Sequence, residues 1–260
     1  MNEPSAELSA EPTVITWVGH STILIDAGGF RILTDPLLTK RVAHLRRRRP
    51  VPFLGDIAPV DVVLISHVHM DHLHRPSLKR MKGAPQLVCP VGAEPLLKNL
   101  GFEQLSSVDP GDELDIDPAR VSVTFADHKG GRGPHSRVAT NPVGYVIEVG
   151  GHRLYFPGDT DIFDGMAELA PIDVAFLPIW GWGPSIGTGH LNPERAVEAA
   201  GLLQADRVVP IHWGTYSPEN GRGTPTWLNQ PPSEFVRAMD IADSDFKLCL
   251  IEPGGQIELN

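Results

Sequence analysis

The chain has 260 residues, of which 41% are hydrophobic and 21% charged, as expected for a globular protein with a sizeable core. Its net charge of −10 disfavours non-specific binding to nucleic acid, because the phosphate backbone attracts positive charge. No apolar run reaches the roughly 18–20 residues of a membrane span, so we expect no transmembrane segment.

Residues 1–12 are acidic and polar, without the features of a secretory signal, and we expect a disordered lead-in there. No repeat or linker divides residues 13–260, which predicts a single domain. Cys89 and Cys249 lie in apolar contexts and are too few for a disulfide framework, which favours a cytoplasmic location. The sequence does not indicate the oligomeric state.

Short apolar runs recur along the chain and predict strands. They cover 13–18, 22–27, 30–34, 60–65, 86–89, 120–126, 144–150, 152–156, 172–178, 207–213, 246–252 and 255–259. Five segments between them begin with residues suited to a first helical turn and predict helices, namely 76–82, 92–100, 160–169, 192–203 and 231–242. The pattern favours a layered α/β sandwich built from two similar halves that divide near 110–119.

The segment SHVHMDH, residues 66–72, directly follows the apolar run 60–65. His67 and His69 are two residues apart and point the same way in an extended chain, so they can share one metal ion. If the chain turns after His69, Asp71 and His72 can face a second ion. Imidazole and carboxylate ligands suit zinc, and also iron or manganese.

Four ligands do not complete two metal shells, so distant positions must contribute. His128, Asp159 and His212 each follow an apolar run, where open α/β sheets place their functional sites. Together with residues 67–72, they predict one metal centre at the ends of several strands.

These motifs resemble those of the metallo-β-lactamase superfamily, whose hallmark is H-x-H-x-D-H followed by a lone His, a lone Asp and a last His. The resemblance covers roughly residues 13–258. The finer match is to the branch that contains ascorbate-6-phosphate lactonase and the phospholipase D that hydrolyses N-acyl-phosphatidylethanolamines. It is carried by WVGHST, ILTDP, SHVHMDH, FPGDT, HLNPERAVEA and IHWGT, which begin at positions 17, 32, 66, 156, 190 and 211.

The resemblance implies a four-layer αβ/βα sandwich and two bound divalent ions, with Zn²⁺ expected first and Mn²⁺ or Fe²⁺ as alternatives. It implies that His67, His69 and His128 bind one ion. It further implies that Asp71, His72 and His212 bind the other ion and that Asp159 bridges the two.

Further residues are candidates for supporting the ligands or contacting substrate. Asp35 resembles a family aspartate that braces the metal loops, and His20 has a similar expected role or is a core histidine. His190 resembles a histidine before the N-P-E-x-A helix and is predicted to donate a proton or contact substrate, unless it only bonds backbone at the helix entry. Arg132, Trp180 and Trp182 complete the set of candidates around the site.

The run KRVAHLRRRR, residues 40–49, carries six basic residues against the acidic background. One interpretation is an arm that receives an anionic head group, and the other is a solvated loop or a source of ion pairs with the protein's own surface.

The predicted function is a dinuclear metal-dependent hydrolase that uses a metal-bridging hydroxide on a small anionic or lactone-type substrate, such as a phosphodiester or lactone. Asp71, Asp159 and His190 are its predicted catalytic residues. The alternatives are an iron-dependent oxygen or sulfur redox enzyme on the same fold, and a metal-dependent nuclease. No stable nucleic-acid partner is expected.

Overall fold

A computed structural model of the chain describes residues 11–50, 59–81, 83–133, 136–181, 186–218 and 226–260. Residues 1–10 of the predicted lead-in and Trp182 lie outside these ranges. Within them, no helix is both long and apolar enough to cross a membrane.

Two seven-stranded sheets form the centre of the fold. The first contains β1 (Thr13–Gly19), β2 (Thr22–Ala27), β3 (Phe30–Thr34), β6 (Val62–Leu64), β7 (Gln86–Pro90), β8 (Leu105–Val108) and β17 (Gln256–Leu259). The second contains β9 (Glu113–Ile116), β10 (Ala119–Phe125), β11 (Val143–Val149), β12 (His152–Phe156), β13 (Ile172–Pro178), β14 (Ala205–Ile211) and β16 (Lys247–Leu248). The chain passes from the first sheet to the second between Val108 and Glu113, close to the predicted division.

Both sheets change from antiparallel to parallel pairing along their width. In the first sheet, β1, β2 and β3 pair antiparallel, whereas β3, β6, β7 and β8 pair parallel. In the second sheet, β9 to β12 pair antiparallel, whereas β12, β13, β14 and β16 pair parallel. This repetition confirms the predicted two similar halves and aligns the carboxyl ends of the parallel strands.

The largest hydrophobic core lies between the sheets, where Trp17 and Ile25 of the first sheet cluster with Tyr145 and Phe156 of the second. The outer face of the first sheet packs against α1 (Arg75–Leu78) and α2 (Glu94–Leu97) through a separate cluster that includes Leu78 and Leu97. Helices α3 (Pro193–Leu202) and α4 (Pro231–Ala242) pack together, and α3 contacts β13 and β14 of the second sheet. The predicted layered α/β sandwich is therefore confirmed.

The two long helices follow their sequence signals closely. Asn192 caps α3 by accepting a hydrogen bond from the backbone N–H of Arg195, and Pro193 occupies the first helical position. The bounds of α4 equal the predicted 231–242, and Asp243 ends it in a left-handed conformation.

The prediction of a helix over 160–169 is wrong, because this segment contains only a single 3-10 turn, Met166–Leu169. The side chain of Thr160 accepts a hydrogen bond from the backbone N–H of Asp127 and donates one to the Asp161 carbonyl. These bonds fix the segment as a loop that holds two strand ends together. Gly165 then adopts φ 90° before the turn.

The basic segment 40–49 contains two strands that the sequence did not predict, β4 (Arg41–Val42) and β5 (Leu45–Arg47). They form a hairpin, and β5 pairs with β15 (Tyr216–Pro218) in a small third sheet. A short turn, Thr226–Leu228, precedes α4. Strands β8 and β9 were also missed, since their alternating burial leaves too few apolar residues for a clear pattern.

Candidate metal centre

The centre forms where strand ends from both sheets meet. The loop after β6 carries His67 to His72, Asp159 follows β12, and His212 follows β14. Each of these strands belongs to the parallel part of its sheet, so their carboxyl ends face the same region. His128 enters from the loop after β10.

Three imidazoles converge into a first cluster. Nε2 of His67 lies 2.9 Å from Nδ1 of His69, and Nε2 of His128 lies 3.1 Å from the same His69 atom. Three nitrogen atoms at such distances suit the coordination of one ion.

A second cluster consists of Asp71, His72, His212 and His20, whose ligand atoms all lie within 4.8 Å of one another. Oδ2 of Asp71 lies 3.0 Å from Nε2 of His20 and 3.6 Å from Nε2 of His72. The rings of His20 and His212 approach to 3.9 Å between centroids. His20 therefore contacts the predicted ligand Asp71 directly.

Asp159 lies between the clusters and is only 4% exposed. Its Oδ2 lies 3.2 Å from Nε2 of His72 and 4.0 Å from Nε2 of His128, and its Oδ1 lies 3.2 Å from Nε2 of His212. Its two oxygen atoms thus reach members of both clusters.

The outer nitrogen of several imidazoles is held by a hydrogen bond. Nδ1 of His128 lies 2.6 Å from the carbonyl of Gly189, and Nδ1 of His212 lies 2.5 Å from the carbonyl of Trp180. A carbonyl only accepts, so Nδ1 carries the proton in both residues. Nε2 of each ring then offers a lone pair toward the centre.

Asp35 and Ser66 fix two further imidazoles. Oδ2 of Asp35 lies 2.7 Å from Nδ1 of His72 and accepts a 2.6 Å hydrogen bond from the Ser66 hydroxyl. That hydroxyl oxygen lies 2.9 Å from Nδ1 of His67. Because the hydroxyl donates its own hydrogen to Asp35, it accepts a hydrogen bond from the N–H at Nδ1 of His67. The Asp35 carboxylate thereby orients both rings with Nε2 inward.

The electrostatics of the buried groups fit a cation at this place. Burial lowers the pKa of His67 well below its usual value, and it lowers the pKa of His128 to about 4. Burial opposes ionisation of Asp159, but His212 and His72 outweigh it and hold the pKa of this carboxyl well below its usual range. His67 and His128 are thus neutral imidazoles beside the ionised carboxylate of Asp159, a combination of donors that suits a divalent metal site.

Two buried atoms support the same conclusion. Nε2 of His72 and Oδ1 of Asp159 make no hydrogen bond of good geometry among the described residues. Buried polar atoms without hydrogen bonds are costly unless an ion or water satisfies them. Burial alone lowers the pKa of an imidazole, yet Asp159, Asp71 and Asp35 raise that of His72 well above its usual value. The residues present therefore fit metal ions.

Strained backbone accompanies the centre. His20, Asp35 and His212 have φ values of 55°, 31° and 67°, in the left-handed region that is unfavourable for side chains with a Cβ. Such strain persists where surrounding structure fixes it, and it clusters at functional sites. Here the backbone N–H of His212 bonds the carbonyl of His20, and the N–H of His20 bonds the Thr215 hydroxyl.

The remaining predicted residues lie around these clusters. Nε2 of His190 lies 3.8 Å from Oδ2 of Asp159, and its Nδ1 lies 3.3 Å from the carbonyl of Gly187. Arg132 donates to the carbonyls of Val68 and Leu73 on either side of the H-x-D-H segment. The indole of Trp180 packs against the main core, and its carbonyl holds His212.

Two supporting residues were not singled out from the sequence. Ser66 links Asp35 to His67, and its position directly before the first histidine was the available signal. Gly158 lies in the motif FPGDT, directly before Asp159. A Cβ there would lie 2.4 Å from Cβ of Ser66, so glycine allows the Asp159 loop to approach the histidine loop.

A sandwich of two sheets with a histidine and aspartate centre at its strand ends defines a class of metal-binding α/β proteins. A model of the beta-lactamase superfamily domain matches residues 30–213, and the chain belongs to this superfamily. The resemblance seen in the sequence is thus confirmed.

Individual relatives agree with this assignment. The chain is 31% identical over 253 residues to N-acyl-phosphatidylethanolamine-hydrolyzing phospholipase D 1 of Caenorhabditis elegans, covering 88% of this chain and 70% of that protein. It is 32% identical over 258 residues to a metal-dependent hydrolase of Nitratidesulfovibrio vulgaris, covering 95% and 96%. An uncharacterized protein of Mycobacterium tuberculosis is 33% identical over 230 residues. The match covers 80% of this chain but only 60% of that protein's length.

The fold also matches a solved structure. Igni18, a metallo hydrolase from Ignicoccus hospitalis, superposes with a TM-score of 0.70 at 24% identity and covers 96% of this chain and 99% of its own. At this identity the likeness concerns the fold.

Proposed function

We propose that the chain is a dinuclear metal-dependent hydrolase that acts on a small phosphodiester or lactone-type substrate. The observation that supports this most directly is the position of Asp159, whose oxygen atoms lie near both ligand clusters. His67, His69 and His128 would hold one ion. Asp71, His72 and His212 would hold the other, with Asp159 shared.

Two divalent ions held by these residues would supply a nucleophilic hydroxide at neutral pH and a Lewis acid for the negative charge that develops on the substrate. The chain's own residues set the conditions for this chemistry. The hydrogen bonds to Asp35, Gly189 and Trp180 keep the imidazole rings oriented before substrate arrives. His190 is half-buried beside Asp159, and in this proposal it would give a proton to a leaving oxygen.

The relatives support hydrolysis without fixing the substrate. One is named for the hydrolysis of N-acyl-phosphatidylethanolamine, a phosphodiester, and another is a metal-dependent hydrolase that matches along nearly its whole length. One fold hosts many chemistries, so the substrate class is inferred from the branch and the centre together.

The test is metal analysis followed by a substrate panel. Protein purified without added metal is analysed for its ions, reconstituted separately with Zn²⁺, Mn²⁺ and Fe²⁺, and assayed on phosphodiesters, lactones and thioesters. We expect turnover of a phosphodiester or lactone that a chelator removes and metal restores. Oxygen consumption by the Fe²⁺ form without hydrolysis would favour the redox alternative, and cleavage of DNA or RNA in preference to small esters would favour the nuclease.

A further inference from the structure

A cavity of about 250 Å³ opens beside the metal centre. One wall is the β4–β5 hairpin and the other is the metal-binding loop after β6. It is lined by Val42, Ala43, His44, Leu45, Met70 and Arg132, and it shares His69 and Asp71 with the centre. Whatever occupies this cavity is therefore adjacent to the candidate metal ligands His69 and Asp71.

Arg132 gives the cavity a positive group. Its Nη1 donates hydrogen bonds to the carbonyls of Val68 and Leu73, at 2.8 and 3.2 Å. No carboxylate of the described residues lies within ion-pairing distance of its guanidinium. A half-buried guanidinium with donors to spare is suited to a planar or tetrahedral oxyanion.

Other half-buried arginines of this protein are arranged differently. Arg31 pairs with Asp26 at 2.7 Å, Arg153 pairs with Glu148 at 3.3 Å, and Arg195 pairs with Asp161. An acidic chain with a net charge of −10 has many carboxylates to offer. Among the described residues Arg132 bonds only carbonyl oxygens, so its guanidinium keeps N–H donors that an external anion can use.

The rest of the cavity is mainly apolar. Met70 is 50% exposed although it lies between two predicted metal ligands, and Val42 and Leu45 of the hairpin form the facing wall. An exposed methionine is an adaptable apolar contact. The cavity thus combines an apolar passage with a cationic group.

We propose that this cavity selects substrates that carry a second anionic group, which pairs with Arg132, on a short apolar chain that packs against Met70 and the hairpin. Naming it a substrate pocket rests on the hydrolase function proposed above. The pocket's binding chemistry is independent of turnover and is tested separately.

The probe is hexanesulfonate, because a sulfonate is a weak metal ligand and reports on Arg132 rather than on the ions. Its affinity for the zinc-loaded full chain is measured by titration calorimetry, with hexanol and methanesulfonate for comparison. We expect hexanesulfonate to bind more tightly than either. Arg132→Gln is expected to weaken it about tenfold to a hundredfold, the value of a charge-assisted hydrogen bond.

Arg75→Gln is the matched control. Burial lowers the pKa of Arg132, and the nearby charge of Arg75 lowers it further. Arg75 itself lies outside the cavity lining. This variant removes the same charge outside the cavity and should leave hexanesulfonate binding within about twofold, since a charge that does not contact the ligand acts weakly through solvent. Met70→Ser should weaken hexanesulfonate about threefold to tenfold and leave methanesulfonate unchanged, because only the apolar contact is lost.

Arg132 also bonds two backbone carbonyls, so the zinc content of Arg132→Gln is measured first. Ala43→Asp tests the pocket from the opposite wall without touching those bonds, and it should weaken hexanesulfonate about tenfold by like-charge repulsion. Equal affinity for hexanol and hexanesulfonate, or unchanged binding in Ala43→Asp, would overturn the proposal. Intact sulfonate binding in a protein without hydrolytic activity would instead overturn the hydrolase function and leave the pocket in place.

Discussion

At the scale of single residues, Asp159 lies where it would join the two candidate ligand clusters into one centre. Its carboxylate is buried and lies within 4.0 Å of imidazole nitrogens from both clusters. If two ions bind as proposed, a carboxylate held by both clusters would keep them together, and hydrolysis would depend on it.

We therefore expect Asp159→Ala to lower metal occupancy and to abolish hydrolysis while the fold survives. The measurement is metal content by elemental analysis together with kcat/KM and circular dichroism. Asp164→Asn is the control, because Asp164 is an exposed carboxylate on the same loop. Turnover at the wild-type rate in Asp159→Ala would remove this residue from the centre.

His190 differs from the other histidines in its surroundings. It is 26% exposed, and among the described residues its Nδ1 lies 3.3 Å from the carbonyl of Gly187 in the preceding loop. Its ring lies 4.6 Å from that of His128, so the geometry allows it to serve either as a proton donor or as a ligand.

We expect His190→Ala to keep both metals and to lose activity by about 10²–10⁴-fold, as for a missing general acid. The loss should shrink on substrates that release p-nitrophenolate, because this group departs without a proton. The measurement compares kcat/KM for p-nitrophenyl and alkyl esters of the same acid. Loss of a metal ion would assign His190 to the ligands, and unchanged activity on every substrate would leave it as a helix-entry residue.

At the scale of elements, the β4–β5 hairpin divides the roles of the basic run. Arg47 is buried and donates to the carbonyls of Val18, Leu37 and Pro50, at 2.5, 3.1 and 3.2 Å. Arg48 bonds Asn229, and Arg49 pairs with Glu252. Arg47, Arg48 and Arg49 thus bind the protein itself, in agreement with the structural interpretation of the run.

We expect Arg47→Gln to lower the free energy of unfolding by about 2–4 kcal/mol, because it leaves buried carbonyls without donors. Arg46→Gln, on the exposed side of the same strand, should change it by less than about 1 kcal/mol. Chemical denaturation of both zinc-loaded variants gives the measurement. Equal stability of the two variants would show that the bonds of Arg47 contribute little.

Local sequence signals determined which elements were predictable. Strands β2, β3, β12 and β13 and helix α4 have the predicted bounds, since each is a continuous apolar run or a capped amphipathic segment. The segment 160–169 was not predictable in this way. Its conformation is determined by the hydrogen bonds of Thr160 to Asp127, which is 33 positions away, and to the neighbouring Asp161. Such contacts leave no periodicity in the sequence.

At the scale of the whole molecule, the two sheets bring the centre together. The histidine loop belongs to the first sheet, whereas His128, Asp159 and His212 follow strands of the second. The sequence identified the candidate ligands because each follows an apolar run, but it did not place Arg132 beside the β4–β5 hairpin. That juxtaposition depends on short strands without an apolar pattern of their own.

The candidate ligands come from both sheets, so metal binding is expected to be coupled to folding. We expect about two divalent ions per chain, and we expect their removal to lower Tm, since a ligand that binds only the folded state stabilises it by mass action. Elemental analysis of zinc-reconstituted protein gives the stoichiometry, and thermal unfolding with and without chelator gives the shift in Tm.

His44→Gln serves as the control, because His44 lies outside the ligand clusters, and it should keep both ions. One ion or none after reconstitution would contradict a dinuclear centre. Two ions without any change in Tm would show that they bind the unfolded chain as tightly as the folded one, which would contradict a centre assembled by the fold.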